Sequence, residues 1–129
     1  MRIEHLAIWT KDLDKMKNFY VRYFNMQCGE KYTNPVKNFS SYFLSFRNES
    51  TRIELMHDPT IKTLLDKQSF YKGVTHFSIS VGNKAAINSL TELLRSNGYV
   101  IVSEPRTTGD GYYESVIEDC EGNRIEITE

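Results

Sequence analysis

The sequence predicts an α+β fold made of two βαβββ modules that together form a curved mixed sheet around a metal site. The order of strands and helix in residues 1–56 recurs in residues 74–129. Each half also carries a His in its first strand and a Glu in its last. Because one helix covers only one face of a four-stranded sheet, each module needs the other to cover its open face. We therefore treat residues 1–129 as a single domain, with residues 57–73 as a linker.

Length and composition are those of an ordinary globular domain. The chain has 129 residues, of which 40% are hydrophobic and 26% charged. A net charge of −1 gives no basic face for nucleic acid. No apolar run is long enough to span a membrane, and the charged N-terminus lacks the apolar stretch of a signal peptide. We expect a cytoplasmic protein with two free thiols and no nucleic-acid or membrane partner.

The first module begins with an alternating segment, residues 3–10, in which Leu6 and Ile8 share one face and His5 lies on the other. Asp12 is a candidate N-cap for an amphipathic helix of about 12 residues. The apolar positions of that helix are Leu13, Met16, Phe19, Tyr20, Tyr23 and Phe24. We expect three further strands, near residues 30–32, 41–46 and 51–56, the last two joined by a turn at residues 48–50.

The second module repeats this order. Residues 75–81 alternate, with His76 on the face opposite Phe77 and Ile79. Asn83 can cap the helix, and Gly98 stands where a glycine commonly ends one. Strands are expected over residues 100–103, 112–118 and 123–128. Between the modules, the linker contains a short helical pattern around residues 61–65.

Four candidate metal ligands occupy matching positions in the two modules. Glu54 follows His5 by 49 residues, and Glu126 follows His76 by 50. Period-two alternation places each His and each Glu on the face opposite the aliphatic residues that pack under the helix. Two imidazoles and two carboxylates suit Zn, Ni, Co, Mn or Fe(II).

The alternative is that these four are unrelated strand residues, since a lone strand His usually packs or is simply exposed. The chain has only three His, however, and two of them fall at repeat-equivalent positions, each with its own Glu. The third, His57, has no counterpart in the second half, and we interpret it as a loop residue. We therefore favour metal binding.

These features resemble the vicinal oxygen chelate superfamily, which includes glyoxalase I, extradiol dioxygenases and bleomycin-resistance proteins. The resemblance covers essentially the whole chain and implies the glyoxalase/bleomycin resistance/dioxygenase fold. Each motif is weak alone, but their order and spacing are typical of that fold. The motifs are His5-Leu6-Ala7-Ile8, Lys11-Asp12-Leu13-Asp14 leading to Phe19-Tyr20, Arg52-Ile53-Glu54-Leu55, His76-Phe77-Ser78-Ile79 and the run from Asp119 to Ile127.

Within that superfamily, the set His-Glu-His-Glu looks like glyoxalase I, the lactoylglutathione lyase. The resemblance implies proton transfer next to a carbonyl, with Glu126 as the better candidate for the base and Glu54 as its partner. Glyoxalase I often carries an Arg and an Asn that help to hold glutathione, at positions occupied here by Trp9 and Asp58. We therefore expect a small-molecule substrate, in which the thiol is other than glutathione.

Residues 105–115 resemble those of a subgroup of uncharacterised bacterial relatives and are expected to form a loop at the edge of the site. Arg106, Tyr112 and Tyr113 are candidate substrate contacts, together with Trp9; the alternative for the tyrosines is that they only pack. Relatives of this type commonly build the site between chains, so we favour a homodimer.

Two other functions remain open. One is another metalloenzyme of the superfamily, an Fe(II) dioxygenase or a thiol transferase, although Glu54 would fill a coordination position that oxygen needs. The other is a small-molecule binding or resistance protein that keeps the metal only as structure.

Overall fold

The computed structural model describes residues 1–62 and 72–129, which form two compact units, Met1–Leu65 and Asp66–Glu129. The boundary lies within the predicted linker. The elements of the first unit are β1 (His5–Trp9), α1 (Leu13–Phe24), β2 (Gln27–Cys28), β3 (Tyr32–Asn34), β4 (Phe39–Ser45) and β5 (Arg52–His57). Those of the second are β6 (Phe77–Ser80), α2 (Lys84–Ser96), β7 (Ile101–Thr107), β8 (Tyr113–Glu118) and β9 (Arg124–Thr128).

The first unit has a mixed sheet in the order β1-β5-β4-β2, in which β1 runs parallel to β5 and the other pairs are antiparallel. We predicted one short strand before β4, but there are two, β2 and β3, and both pair with β4. Between them, the amide of Gly29 still donates to the carbonyl of Phe43 at 2.9 Å. The predicted single strand is therefore an edge strand that is interrupted near Gly29 and divided into β2 and β3.

Helix α1 covers one face of this sheet. The side chain of Asp12 accepts a hydrogen bond from the Lys15 amide at 3.0 Å, which confirms the predicted N-cap. Met16 and Tyr20 of the helix are completely buried, as are Leu44 and Leu55 on the face of the sheet that the helix covers. The alternate residues of these strands therefore lie on the face that the helix leaves open.

The second unit has a mixed sheet in the order β6-β9-β8-β7, with β6 parallel to β9. Asn83 caps α2 by accepting from the Ala86 amide at 2.9 Å, as predicted. After the helix, Gly98 adopts a φ of +82°, a left-handed conformation that favours glycine. The core of this unit consists of Ile87, Leu94, Ile117, Ile125 and Ile127, all fully buried. Two mixed sheets with few helices confirm the predicted α+β class.

Strand β7 is longer than predicted. We expected it to end at Ser103, with residues 105–115 as a loop at the edge of the site. It instead runs to Thr107, with irregular register between Ser103 and Arg106. A proline is tolerated there because β7 is an edge strand and the irregularity removes the need for its amide.

The helical pattern predicted at residues 61–65 lies largely outside the described residues. Both cysteines, Cys28 and Cys120, are free thiols, as expected. Among the residues that the structure describes, no helix is long and apolar enough to cross a membrane.

Candidate metal centre

In the first unit, His5 and Glu54 lie on the open face of neighbouring strands. The parallel register pairs His5 with Arg52 and Ala7 with Glu54, so the two side chains are diagonal neighbours. The distance from His5 Nε2 to Glu54 Oε2 is 3.8 Å. The flanking residues of β5, Ile53 and Leu55, are buried on the helix side, as the alternation predicted.

The second unit repeats this pair. His76 immediately precedes β6, and the register of β6 with β9 sets Ser78 beside Glu126. The distance from His76 Nε2 to Glu126 Oε2 is 3.3 Å. On either side of Glu126, Ile125 and Ile127 are fully buried under α2. Each module therefore presents one imidazole and one carboxylate as neighbours on the open face.

The separation in the second unit matches the spacing of two ligands on a shared cation. Nitrogen and oxygen ligands lie roughly 2.0–2.2 Å from Zn²⁺, which puts two ligands of one ion roughly 3.0–3.6 Å apart. The pair in the second unit falls in that range, and the pair in the first is slightly wider. Within residues 1–62 and 72–129, no three His, Cys, Asp or Glu side chains gather into a group that could hold a metal. The donors come together in pairs, and the four-ligand set stays a prediction.

A second carboxylate orients the imidazole of the first unit. Glu4 lies 2.5 Å from His5 Nδ1 and accepts a 2.5 Å hydrogen bond from Arg52 Nη2. The hydrogen bonds from His5 and Arg52 hold the pKa of Glu4 below its ordinary value. An anionic acceptor at Nδ1 favours the proton on that nitrogen and leaves the lone pair of Nε2 free to bind a metal. Thr75 stands at the matching position beside His76.

In the second unit, the extra carboxyl group lies beside the Glu rather than the His. Glu114 is on β8, and its register partner Thr128 lies two residues beyond Glu126, so Glu114 and Glu126 are diagonal neighbours on one face. Burial, the charge of Glu126 and a hydrogen bond between the two side chains raise the pKa of Glu114 above its ordinary value. Arg106 approaches Glu114 from the other side, with Nη1 3.4 Å from Oε1.

Trp9 belongs to an aromatic cluster on the open face of the first unit. Its ring packs edge-on against Phe39 with centroids 6.3 Å apart, and Tyr32 packs against the same Phe39 at 6.2 Å. Trp9 and Tyr32 are 53% and 56% exposed. Because Trp9 is two residues beyond Ala7, the partner of Glu54, the cluster lies on the same face as the His5–Glu54 pair.

The expected substrate contacts fall in different places. Arg106 lies on β7 opposite Glu114, on the open face. Tyr112 is exposed, just before β8. Tyr113 has its hydroxyl bonded to Asn88 of α2 at 2.9 Å and its ring 5.0 Å from Lys84 Nζ, which places it on the helix side. For Tyr113, the geometry favours the alternative that it only packs.

Three other side chains were misjudged or missed. His57 is the last residue of β5 rather than part of a loop, and its Nδ1 lies 2.9 Å from the carbonyl of Thr10. Glu4 and Glu114 were not among the predicted site residues. Alternation around the buried Ile117 already places Glu114 on the same face as Glu126 in the predicted sheet, so a signal for it was present.

Comparison with known families agrees with this architecture. The model of the Glyoxalase/Bleomycin resistance protein/Dioxygenase superfamily matches residues 2–127. A lactoylglutathione lyase of Escherichia coli O157:H7 is 26% identical over 130 residues, which cover 100% of this chain and 93% of that protein. The match to the family model therefore spans both His–Glu pairs.

Solved structures show the same fold. Glyoxalase I from Zea mays superposes with a TM-score of 0.79 at 25% identity, over 98% of this chain and 44% of that one. This chain therefore spans less than half of the maize protein. The trypanothione-dependent glyoxalase I of Leishmania major has a TM-score of 0.78 at 21% identity, over 99% of this chain and 86% of that one. A glyoxalase family protein from Enterococcus faecalis reaches 0.80 at 20% identity, over 99% and 97%.

Proposed function

The chain belongs to the glyoxalase/bleomycin resistance/dioxygenase superfamily, and within it we propose a metal-dependent lyase or isomerase of the glyoxalase I type. It would act on a small adduct of an aldehyde and a thiol. The proposal rests above all on the two His–Glu pairs, which occupy equivalent positions in both modules and face away from the helices. A single pair could be a structural contact, but repetition at equivalent positions is typical of a divided ligand set.

The four ligands would be His5, Glu54, His76 and Glu126, holding one Ni, Zn, Co, Mn or Fe ion. Such an ion would supply Lewis acidity to the substrate oxygen next to the carbon that loses a proton. His5 keeps to a holding role, because Glu4 fixes its tautomer with Nε2 free, and we assign the same role to His76 as its repeat equivalent. The carboxylates are the groups able to take up a proton.

In the proposed reaction, Glu126 removes the proton from the carbon that bears the hydroxyl and sulfur of a hemithioacetal. It then returns a proton to the neighbouring carbonyl carbon. The substrate hydroxyl loses its proton and its oxygen becomes the carbonyl of a thioester, while the former carbonyl oxygen takes up a proton and becomes a hydroxyl. No net oxidation occurs and no group leaves, so besides holding the ion the chain supplies a base and a binding surface that excludes water. Glu54 is the partner carboxylate in the ligand set.

The identity of the thiol in the substrate is a separate question. Trp9 presents an exposed ring in the aromatic cluster with Phe39 and Tyr32. An anionic peptide thiol would bind more tightly to a cationic side chain at this position. Asp58 is also anionic at neutral pH, since hydrogen bonds from Thr60 hold its pKa low. One relative is named for a glutathione product and another for trypanothione. We infer a neutral or cationic thiol with a planar or apolar portion.

The pairs would combine either within one chain or between the two chains of a homodimer. We favour the homodimer, the commonest symmetric assembly. Mixing His5→Ala with His76→Ala protein separates the arrangements. If each site takes one pair from each chain, half of the mixed dimers' sites carry no substitution and activity returns. If each site lies within one chain, every site in the mixture keeps one substitution and activity stays lost.

The decisive assay is turnover of methylglyoxal hemithioacetals made with glutathione and with neutral and cationic thiols. Each is tested with Ni, Zn, Mn and Fe(II), and catechols are included to detect dioxygenase activity. Metal-dependent isomerisation with at least one thiol supports the proposal. Metal binding without turnover of any hemithioacetal contradicts it and favours a binding protein, whereas ring cleavage of a catechol with Fe(II) favours the dioxygenase alternative.

A further inference from the structure

The two modules differ in what surrounds their glutamates. In the second unit, Glu114 lies on β8 diagonally across from Glu126, on the same face of the sheet. In the first unit, β4 pairs Phe43 with Glu54 and Ser41 with Met56, so Ser41 occupies the position equivalent to Glu114. The repeat is therefore broken at this position, where one glutamate gains a carboxyl neighbour and the other does not.

Contacts on both faces of β8 fix the position of Glu114. Its side chain is only 12% exposed, and it forms an ion pair with Arg106 on the neighbouring edge strand. Arg106 is in turn anchored by the hydroxyl of Ser103, to which its Nη1 donates at 2.8 Å. On the opposite face of β8, the adjacent Ser115 is bonded to Thr91 of α2 at 2.7 Å. The strand and the partner of Glu114 are thus both fixed, which leaves its carboxyl group little freedom.

We propose that Glu114 is a positioning residue for the carboxylate of Glu126, its diagonal neighbour on the open face, with Arg106 anchoring Glu114 from the edge strand. This assignment rests on the proposed function for its catalytic consequence. It distinguishes the two glutamates, because Glu126 has a fixed neighbour that limits its rotamers and Glu54 does not. A carboxylate that must alternate between holding a metal and taking up a proton benefits from such a fixed neighbour.

Calorimetric titration of Ni²⁺ and Zn²⁺ tests this, together with kcat and KM for the best hemithioacetal. Glu114→Ala is expected to lose about 10–100-fold in metal affinity or in kcat, with little change in KM. Glu114→Gln keeps the size and polarity of the side chain and should stay close to the wild type. The matched control is Glu118→Ala, which removes a carboxylate from the same strand and the same face.

A second, independent test needs no metal. The melting temperatures of the metal-free Glu114→Ala, Glu126→Ala and double variants should depart from additivity by at least about 2 °C. Additive shifts, unchanged metal affinity and kcat in Glu114→Ala, or a loss in Glu114→Gln as large as in Glu114→Ala would overturn the proposal. A wild type that binds neither ion and isomerises nothing rejects the proposed function instead, while the melting cycle still decides whether the two carboxyls act together.

Discussion

Nε2 of His76 lies 3.3 Å from Oε2 of Glu126, on neighbouring parallel strands and on the face opposite the buried isoleucines. Neither side chain belongs to the core, since His76 and Glu126 both extend from the uncovered face of their sheet. An imidazole and a carboxylate at this distance are spaced as two ligands of a single cation are.

Removing one donor from either pair should weaken metal binding while leaving the fold intact. Glu126→Gln and Glu54→Gln keep the size of the side chain but remove its charge, so we expect the affinity for Ni²⁺ to fall by at least about tenfold. For Glu126→Gln, which also removes the proposed base, kcat should fall by about 10²–10⁴-fold. Calorimetry, turnover and circular dichroism measure the three quantities. Full activity in Glu126→Gln would show that the base is another residue.

Glu4 should matter for metal binding although it is not a predicted ligand. Its carboxylate bonds both His5 Nδ1 and Arg52, and thereby fixes the tautomer and the orientation of the imidazole. Glu4→Ala is expected to weaken metal affinity by about 10–100-fold, the usual range for the partner of a metal-binding histidine. Thr75→Ala is the matched control, since Thr75 precedes His76 as Glu4 precedes His5. Equal losses in both variants would argue against an orienting role.

Much of this site follows from local rules that sequence reveals. Period-two alternation placed Glu54 and Glu126 on the open faces, because the neighbouring Ile53 and Ile125 are apolar and pack under a helix. The N-caps at Asp12 and Asn83 were predicted correctly because Asp and Asn side chains accept from the first free amides of a helix. These features depend on a few consecutive residues, and so they need no knowledge of strand pairing.

The errors lie where strand pairing decides the outcome. We ended β7 at Ser103, but the strand continues through Pro105, because an edge strand with irregular register tolerates a proline. The contact of Glu114 with Glu126 depends on the register of β8 with β9, which is fixed by the turn between them. In that turn Asp119 accepts from the amides of Glu121 and Asn123. Alternation gives the face of a side chain, but only the register gives its neighbour.

Asp14 should stabilise the first unit in a pH-dependent way. It accepts hydrogen bonds from Lys17 and from the Tyr42 hydroxyl at 3.1 and 3.0 Å, and these contacts lower its pKa below the ordinary 3.8. A carboxyl with a lowered native pKa stabilises the fold above its unfolded pKa, and this contribution is lost as pH falls through the native pKa. The melting temperature of Asp14→Asn should therefore lie about 1–3 °C below that of the wild type at pH 7.

The two melting curves should converge as the pH falls below about 3.8, because protonation of Asp14 then removes the same charge that the substitution removes. Differential scanning calorimetry between pH 2 and pH 7 measures this difference directly. Lys11→Gln, which changes an exposed charge outside this contact, provides the control for general charge effects. A difference that stays constant down to pH 2 would mean that Asp14 acts through packing or helix capping rather than through its charge.

Trp9 should decide which thiol the protein accepts. Its exposed ring packs on Phe39, on the same face as His5, where relatives often carry an arginine that helps to hold glutathione. Trp9→Arg is therefore expected to lower KM for the glutathione adduct and to raise it for adducts of neutral thiols. Because Trp9 is 53% exposed, the substitution should cost little stability. Trp9→Phe keeps an aromatic surface and serves as the matched variant, with the thiol preference of the wild type. If Trp9→Arg left the ratio of kcat/KM values for the two classes of thiol unchanged, the aromatic cluster would lie outside the substrate-binding surface, and the choice of thiol would have to be sought in the polar face of the second unit, around Arg106.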